Sequence, residues 1–325
     1  MVPFFRASRP FCSFSYCYST SSPSLRGAGR RGNLTPLPVI INSVITLSPI
    51  TITKASGEQE HFDESKLVKS LAKTGLSVDV ASQTVDYLKR HLKTGITTKD
   101  IHEHISSYLK ENAPVNNYYN YGLKRAIMDL GPSGHPFETI VSDVLSEYGY
   151  KTEVGVIVLG KCVTHEIDVV AKKEYKQFFI ECKFHNSPGV KTDVQVALYT
   201  YARFLDIKSA MEQSHGTNIT YYPWLITNTK VTSEVFDYAS CVGLELTSWL
   251  DPQGHGMSDL IMSAGLHPVT LAYQIPRSKI NRLLERGIVT CARLKDAIQE
   301  NHVSDILTHE EINATLLHIK EICKT

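Results

Sequence analysis

One stretch constrains the fold more than any other: His165 to Lys183, HEIDVVAKKEYKQFFIECK, has the pattern of a β-hairpin that carries acids on one face. Two apolar runs, 167–171 and 178–180, are rich in β-branched and aromatic residues, and the charged segment 172–176 separates them as a turn would. Side chains alternate along a strand, so Phe178, Ile180, Cys182 and Phe184 share one face while Phe179, Glu181 and Lys183 share the other. On the first strand the same alternation sets Asp168 away from the face of Ile167, Val169 and Ala171. Antiparallel pairing about Glu174 and Tyr175 then brings Asp168 beside Glu181, so that two carboxylates and an ammonium meet.

Neighbouring carboxylates repel when both are ionised, and a bound cation removes that cost; oxygen ligands suit Mg²⁺ or Mn²⁺. Lys183 could steady a hydroxide or the charge on an attacked phosphate. Alone, an E-x-K triplet is ordinary solvated charge, so its surroundings decide. Upstream, Phe137, Ile140, Val141, Val144, Leu145 and Tyr148 recur at helical spacing, with Glu138 off that stripe. Val154 to Leu159 follows as a strand. Downstream, a helix over 193–205 puts Gln195 and Tyr199 on a common face, apart from Val194, Ala197, Leu198 and Tyr201. A polar loop over 211–220, a strand over 221–227, a helix over 233–242 and a strand over 244–247 complete the pattern, with Trp224 and Trp249 as packing residues.

This order, from about Gly131 to Asp251, resembles the PD-(D/E)XK nuclease superfamily, nearest its Mrr-type restriction endonuclease and Holliday-junction resolvase-like branches. The resemblance implies a restriction-endonuclease-like mixed sheet flanked by helices. It implies Asp168, Glu181 and the main-chain carbonyl of Cys182 as metal ligands, Lys183 as the catalytic lysine, and Glu138 as the acid of the first helix. Gln195 with Tyr199 matches the superfamily's Q-x-x-x-Y helix. Ile167 stands where many members carry proline.

The front of the chain reads differently. Residues 1–48 are serine- and proline-rich, and their charges are all positive, with no acid before Glu58. That is the chemistry of a transit peptide, and equally of a disordered leader or an upstream extension from a misplaced start codon. From Ile50 a short strand, a Ser56-Gly57 turn and a returning strand over 59–62 precede a helix near Lys66, capped by Asp63 or Ser65. Helices follow over 82–92, over 98–110 with Thr98 and Asp100 at its cap, and over 118–130, ending at Gly131-Pro132.

The text ITKASGEQEHFDESKL, then GITTKDIHEHI, resembles the ATP-cone, a nucleotide-sensing module best known from ribonucleotide reductases and their transcriptional repressor. The resemblance implies ATP or dATP between hairpin cap and helices, with Lys54, Glu60, Phe62, Lys66 and Thr98 at contact positions. Ala55 stands where the family commonly has a second basic residue. No Walker-type phosphate loop occurs, so the nucleotide is expected as a ligand and not as fuel.

Net charge is +1, which excludes a globally basic binder; DNA contact must come from a local patch, expected from Lys172, Lys173, Lys176, Lys183 and Lys191. Seven cysteines without a C-x-x-C pair give no disulfide or zinc framework and point to a reducing, cytoplasmic setting. No window is apolar enough to span a membrane. His165 reads as a partly exposed strand histidine, and His102, His104, His215 and His255 show no metal spacing. Beyond Met257 the chain reads as a small helical appendage, with a helix-turn-helix-like element over 268–289 and a final helix over 310–323. Such an appendage could hold a DNA backbone, make a dimer contact or act as a lid.

The expectation is therefore an α/β chain with a leader at 1–48, an ATP-cone at 49–131, a nuclease domain at 132–252 and a helical region at 253–325. Its expected function is an ATP- or dATP-binding, Mg²⁺- or Mn²⁺-dependent DNA endonuclease, forming a homo-oligomer. The alternatives are a nucleotide-responsive DNA-binding regulator that does not cut, and an oligomeric ATP sensor.

Overall fold

The computed structural model describes residues 50–214 and 218–322. Residues 1–49, 215–217 and 323–325 lie outside the described residues, and with them the leader expected at 1–48 and the last residue of the helix expected over 310–323. Strands β1 (Thr51–Thr53) and β2 (Gln59–His61) pair antiparallel, and the turn between them closes through Gly57 at φ +83°. Helix α1 (Glu64–Ala72) starts at Asp63, whose carboxylate accepts from the Ser65 N–H at 2.9 Å, and α2 (Val78–His91) starts at Ser77. Helix α3 (Thr98–Asn112) is capped one residue earlier than the sequence suggests. Thr97 is the cap, since its hydroxyl accepts from the Asp100 N–H at 3.1 Å and its own N–H donates to the Asp100 carboxylate at 3.2 Å. Helix α4 (Val115–Met128) follows. Leu71, Val85, Leu88, Ile105 and Leu109 form the buried core of this helical layer, and Phe62 packs against it.

The remainder begins with α5 (His135–Glu147), then β3 (Lys151–Leu159), β4 (Thr164–Lys173) and β5 (Lys176–Lys183). Next come β6 (Lys191–Thr192), α6 (Val194–Ser214), β7 (Thr220–Thr227), β8 (Lys230–Val231), α7 (Ser233–Val242) and β9 (Glu245–Thr247). The main sheet has the order β3-β4-β5-β7-β9; its first two pairings are antiparallel and its last two parallel. A parallel pair needs a crossover, which α6 supplies between β5 and β7. Helix α6 runs to Ser214, so Met211–Ser214 are helical and not part of the loop expected there.

The hairpin turns at Glu174 and Tyr175, as expected, with Lys173 paired to Lys176 and Glu174 at φ +54°. Phe179 packs with Phe204 and Ile207 of α6, whereas Phe184, on the opposite side of β5, meets Phe137 of α5. The buried stripe of α6 is Val196, Ala197, Thr200, Phe204 and Ile207; Leu198, expected on that side, is 44% exposed. The simple alternation of β4 also fails. Ile167 and Val170, three residues apart, both pack in the cluster with Phe204 and Ile207, so the pleat slips by one between them. Gly155 of β3, at φ +63°, lies opposite Asp168, where the ladder lacks one pair while its register is the same on both sides, Val154–Val169 and Val156–Ile167.

The C-terminal helices α8 (Met257–Ala264), α9 (Arg277–Glu285), α10 (Cys291–Gln299) and α11 (His309–Ile322) surround a 3₁₀ turn, Val269–Leu271. They pack on α4 and α5 instead of standing apart. The Thr270 hydroxyl donates to the Ala126 carbonyl at 2.7 Å, His267 Nε2 meets Asn120 Oδ1 at 2.9 Å, and Arg293 holds Asp143 through two bonds of 2.6 Å. Among the described residues no helix is long and apolar enough to cross a membrane.

Gly256, at the start of α8, has no room for a side chain, because a Cβ there would sit 2.6 Å from the Leu250 carbonyl carbon and 2.8 Å from the Trp249 oxygen. Backbone cannot yield as a flexible side chain can. Gly256→Ala is expected to lower unfolding stability by about 1–3 kcal/mol, read as the shift of a urea midpoint.

Candidate active site

Asp168 stands at the slip in β4. Its Oδ2 accepts from the Cys182 N–H at 2.7 Å, in place of a ladder bond between the parting strands. Continuing the register by one step sets Asp168 opposite Glu181. Burial pushes the Asp168 carboxyl up to about 7; the neighbouring Glu181 charge adds to this, and Glu138 of α5 adds less. Glu138 is itself raised by burial, against the opposing pull of His135 at 3.3 Å, with Glu166 and Glu181 adding repulsion. Acids from α5, β4 and β5 therefore share one partly buried field.

Glu181 is held from α6. The Tyr199 hydroxyl donates to its Oε1 at 2.6 Å and the Arg203 guanidinium to its Oε2 at 2.7 Å, while Arg203 also reaches the Glu166 carbonyl at 3.3 Å. Burial and Glu181 together hold the Tyr199 phenol well above its usual range. Lys183 follows on the same face of β5, half-buried, and among the described residues it makes no ion pair. The α6 face is thus a stripe of Gln195, Tyr199 and Arg203 at steps of four. Gln195 is exposed in the first turn of α6, with its N–H held by Asp193 at 3.0 Å. Arg203 is absent from the expected set, although its spacing from Tyr199 signals it. Further along α6, Asp206 accepts from Cys162 N–H at 2.8 Å and pairs with His165 Nε2 at 2.8 Å, so His165 serves the β3–β4 turn.

The donor set fits a hard divalent cation. Like charges forced together beside a buried carboxyl are what such an ion relieves, and the oxygens of Asp168 and Glu181 are the appropriate donors. Among the described residues no three His, Cys, Asp or Glu side chains stand together as a ligand group. An ion here would take two carboxylates and complete its shell from main chain and water, as Mg²⁺ commonly does.

The expected lysine patch is divided. Lys172, Lys173 and Lys176 lie at the hairpin turn, seven strand residues or roughly 23 Å from Lys183 at ~3.3 Å per residue. Lys173 there donates to the Tyr148 carbonyl at 2.6 Å. Lys191 instead lines a cleft of about 490 Å³ with Lys54, Thr98, Lys124, Lys230 and Trp249. An adjoining cleft of about 480 Å³ contains Lys66 and shares Lys124, Lys230 and Trp249. Glu60 accepts from Lys54 at 2.9 Å and Lys66 at 3.2 Å and so ties the two sides together; Lys54 holds its carboxyl below the usual range. The expected nucleotide contacts Lys54, Glu60, Lys66 and Thr98 lie at these two clefts, and Phe62, half-buried, packs against the helical core.

No family model matches the chain. A curated protein of Archaeoglobus fulgidus, described as uncharacterized, is 43% identical over 157 residues, which are 48% of this chain and 84% of that protein. Among solved structures, the crystal structure of a protein of unknown function is 36% identical and spans 58% of this chain and 98% of its own, at a TM-score of 0.49.

Proposed function

We propose that this chain, which belongs to one family with the uncharacterized Archaeoglobus fulgidus protein, is a metal-dependent endodeoxyribonuclease that also binds ATP or dATP. The observation that carries this reading is the buried Asp168, raised by burial and by the neighbouring Glu181, which the continued strand register sets opposite it, with Lys183 on the Glu181 face in no ion pair among the described residues. In this reading Asp168 and Glu181, with the Cys182 carbonyl, hold Mg²⁺ or Mn²⁺, which would supply Lewis-acid charge to the scissile phosphate. Lys183 stabilises charge developing on the phosphate oxygens, Gln195 orients phosphate or water, and Glu138 supports the cation site. Water adds to phosphorus and one P–O ester bond breaks; the phosphate keeps the hydroxyl, and the departing sugar oxygen takes up the proton that water gives to solvent. Lys54, Glu60, Lys66 and Thr98 serve the regulatory nucleotide.

The test is direct: supercoiled plasmid is incubated with purified protein and Mg²⁺ or Mn²⁺, with and without ATP, against an EDTA control. Nicked or linear product that needs the metal supports the reading; intact plasmid in every arm overturns it.

One feature favours a second reading, a nucleotide-responsive DNA binder that does not cut. Both Glu181 oxygens are engaged, by Tyr199 and Arg203, and the guanidinium competes with a cation for the same charge. Arg203→Ala is expected to tighten Mg²⁺ binding about threefold to tenfold, since one opposing charge near the site is worth roughly 1 kcal/mol. A Mg²⁺ titration of thermal stability in the two proteins reads this, and unchanged Mg²⁺ dependence would show that Arg203 does not compete.

A further inference from the structure

The two lysine-lined clefts are not the work of the helical layer alone. Lys66 and Lys69 of α1, with Lys73 at its C-cap, recur at helical spacing and enter the second cleft beside Lys124 of α4. Its other wall comes from the edge of the sheet region: Lys230 opens β8, which pairs with β6 in a separate two-stranded sheet, and Trp249 follows β9 of the main sheet. Among the described residues no acid lines this second cleft, and Glu58 is the one acid lining the first. Lys124 is recessed between the walls; its ammonium donates to the Asn228 carbonyl and lies 4.5 Å from the centre of the Trp249 ring. Burial, first, and the charge of Lys230, second, pull it down to about 7, so a counter-charge beside it would be favourable.

Crowded ammonium groups in a recess of this kind call for a polyanion, and an anion there removes both the repulsion and the cost of burial. Volumes of about 480 and 490 Å³ are those of small-ligand sites. Tyr121, stacked on His102 at 4.7 Å and packed against the helical core, and Trp249 are the aromatic side chains that line the second cleft. Clustered lysines with an aromatic wall describe a nucleoside triphosphate: several phosphates and one ring.

We propose that this composite cleft binds the nucleoside triphosphate, and that Lys230 and Trp249 of the sheet body are direct ligand contacts alongside Lys124 and the α1 lysines. The inference rests on the nucleotide-binding part of the proposed function and extends it from the helical layer to both walls. Asn228 makes the assignment consequential. Its carbonyl receives Lys124, while its side chain bonds both the N–H and the carbonyl of His185, at 2.9 and 2.8 Å, two residues beyond Lys183.

The test uses the full chain, with ATP, inorganic tripolyphosphate and a single-stranded oligonucleotide as probes, followed by calorimetry and by tryptophan emission. ATP is expected to bind and to change emission. Lys230→Ala, at an exposed position, is expected to weaken ATP about tenfold or more at an unchanged melting temperature. Trp249→Phe is expected to lose the emission change while ATP still binds. Wild-type affinity in Lys230→Ala overturns the composite site and leaves nucleotide binding by the helical layer intact. No ATP binding by the wild type overturns both. Binding of the oligonucleotide that ATP fails to displace also overturns the proposal, because the cleft would then be a nucleic-acid groove. Tripolyphosphate that competes with ATP supports the phosphate assignment, and failure to compete removes it.

Discussion

Asp168→Asn is expected to abolish metal-dependent cleavage, by on the order of 10³-fold or more, while raising the stability of the metal-free protein at alkaline pH. The first effect follows from losing one of two anionic donors, since several kcal/mol of charge stabilisation corresponds to about tenfold per 1.4 kcal/mol. The second follows from the carboxyl's displacement. A folded-state pKa of about 7, against an ordinary 3.8, means that the fold favours the neutral form. Its contribution is whole below about pH 4 and is lost as pH rises through 7. Asparagine can still accept from the Cys182 N–H and never ionises. Urea midpoints measured from pH 4 to pH 8.5 should therefore fall in the wild type and fall less in Asp168→Asn. Cleavage that survives the substitution would sink the active-site assignment, and parallel pH profiles would show that Asp168 is not the strained group.

The reach of the sequence can be judged from these same residues. The hairpin, its two-residue turn and the sharing of a face by Glu181 and Lys183 were legible because a strand's period is local and the turn segment is charged. The slip beside Asp168 was not, because its counterpart is Gly155 on a different strand, and nothing within 164–173 marks it. Arg203 was legible in principle: Gln195, Tyr199 and Arg203 stand at steps of four along α6. The lysines of α1 repeat at helical spacing too, yet a charged stripe ordinarily faces solvent, and only the approach of Lys230 and Trp249 makes it a wall. Lys124 and Asn228 are 104 residues apart, and no periodicity carries that pairing. The C-terminal helices were recognised as helices, but their seat on α4 depends on single contacts such as Thr270 with Ala126, which local pattern does not encode.

Lys183→Ala separates metal binding from chemistry. The ammonium is no cation ligand, and among the described residues it neutralises no carboxylate, so its removal leaves the acids and their mutual repulsion in place. Mg²⁺ should therefore still raise the melting temperature of Lys183→Ala, as in the wild type. The rise should be large above about pH 7, where the ion no longer competes with a proton on Asp168, and small at pH 5, where it does. Cleavage, by contrast, should fall about 10²- to 10³-fold, the usual loss when one positioned donor to a developing oxyanion is removed. Arginine at the same position restores charge but not the compact ammonium, and should recover only part of the rate. If Lys183→Ala cuts as fast as the wild type, the lysine is a bystander on the strand. If it loses the Mg²⁺ stabilisation along with cleavage, its part lies in shaping the acid pocket and not in meeting the phosphate.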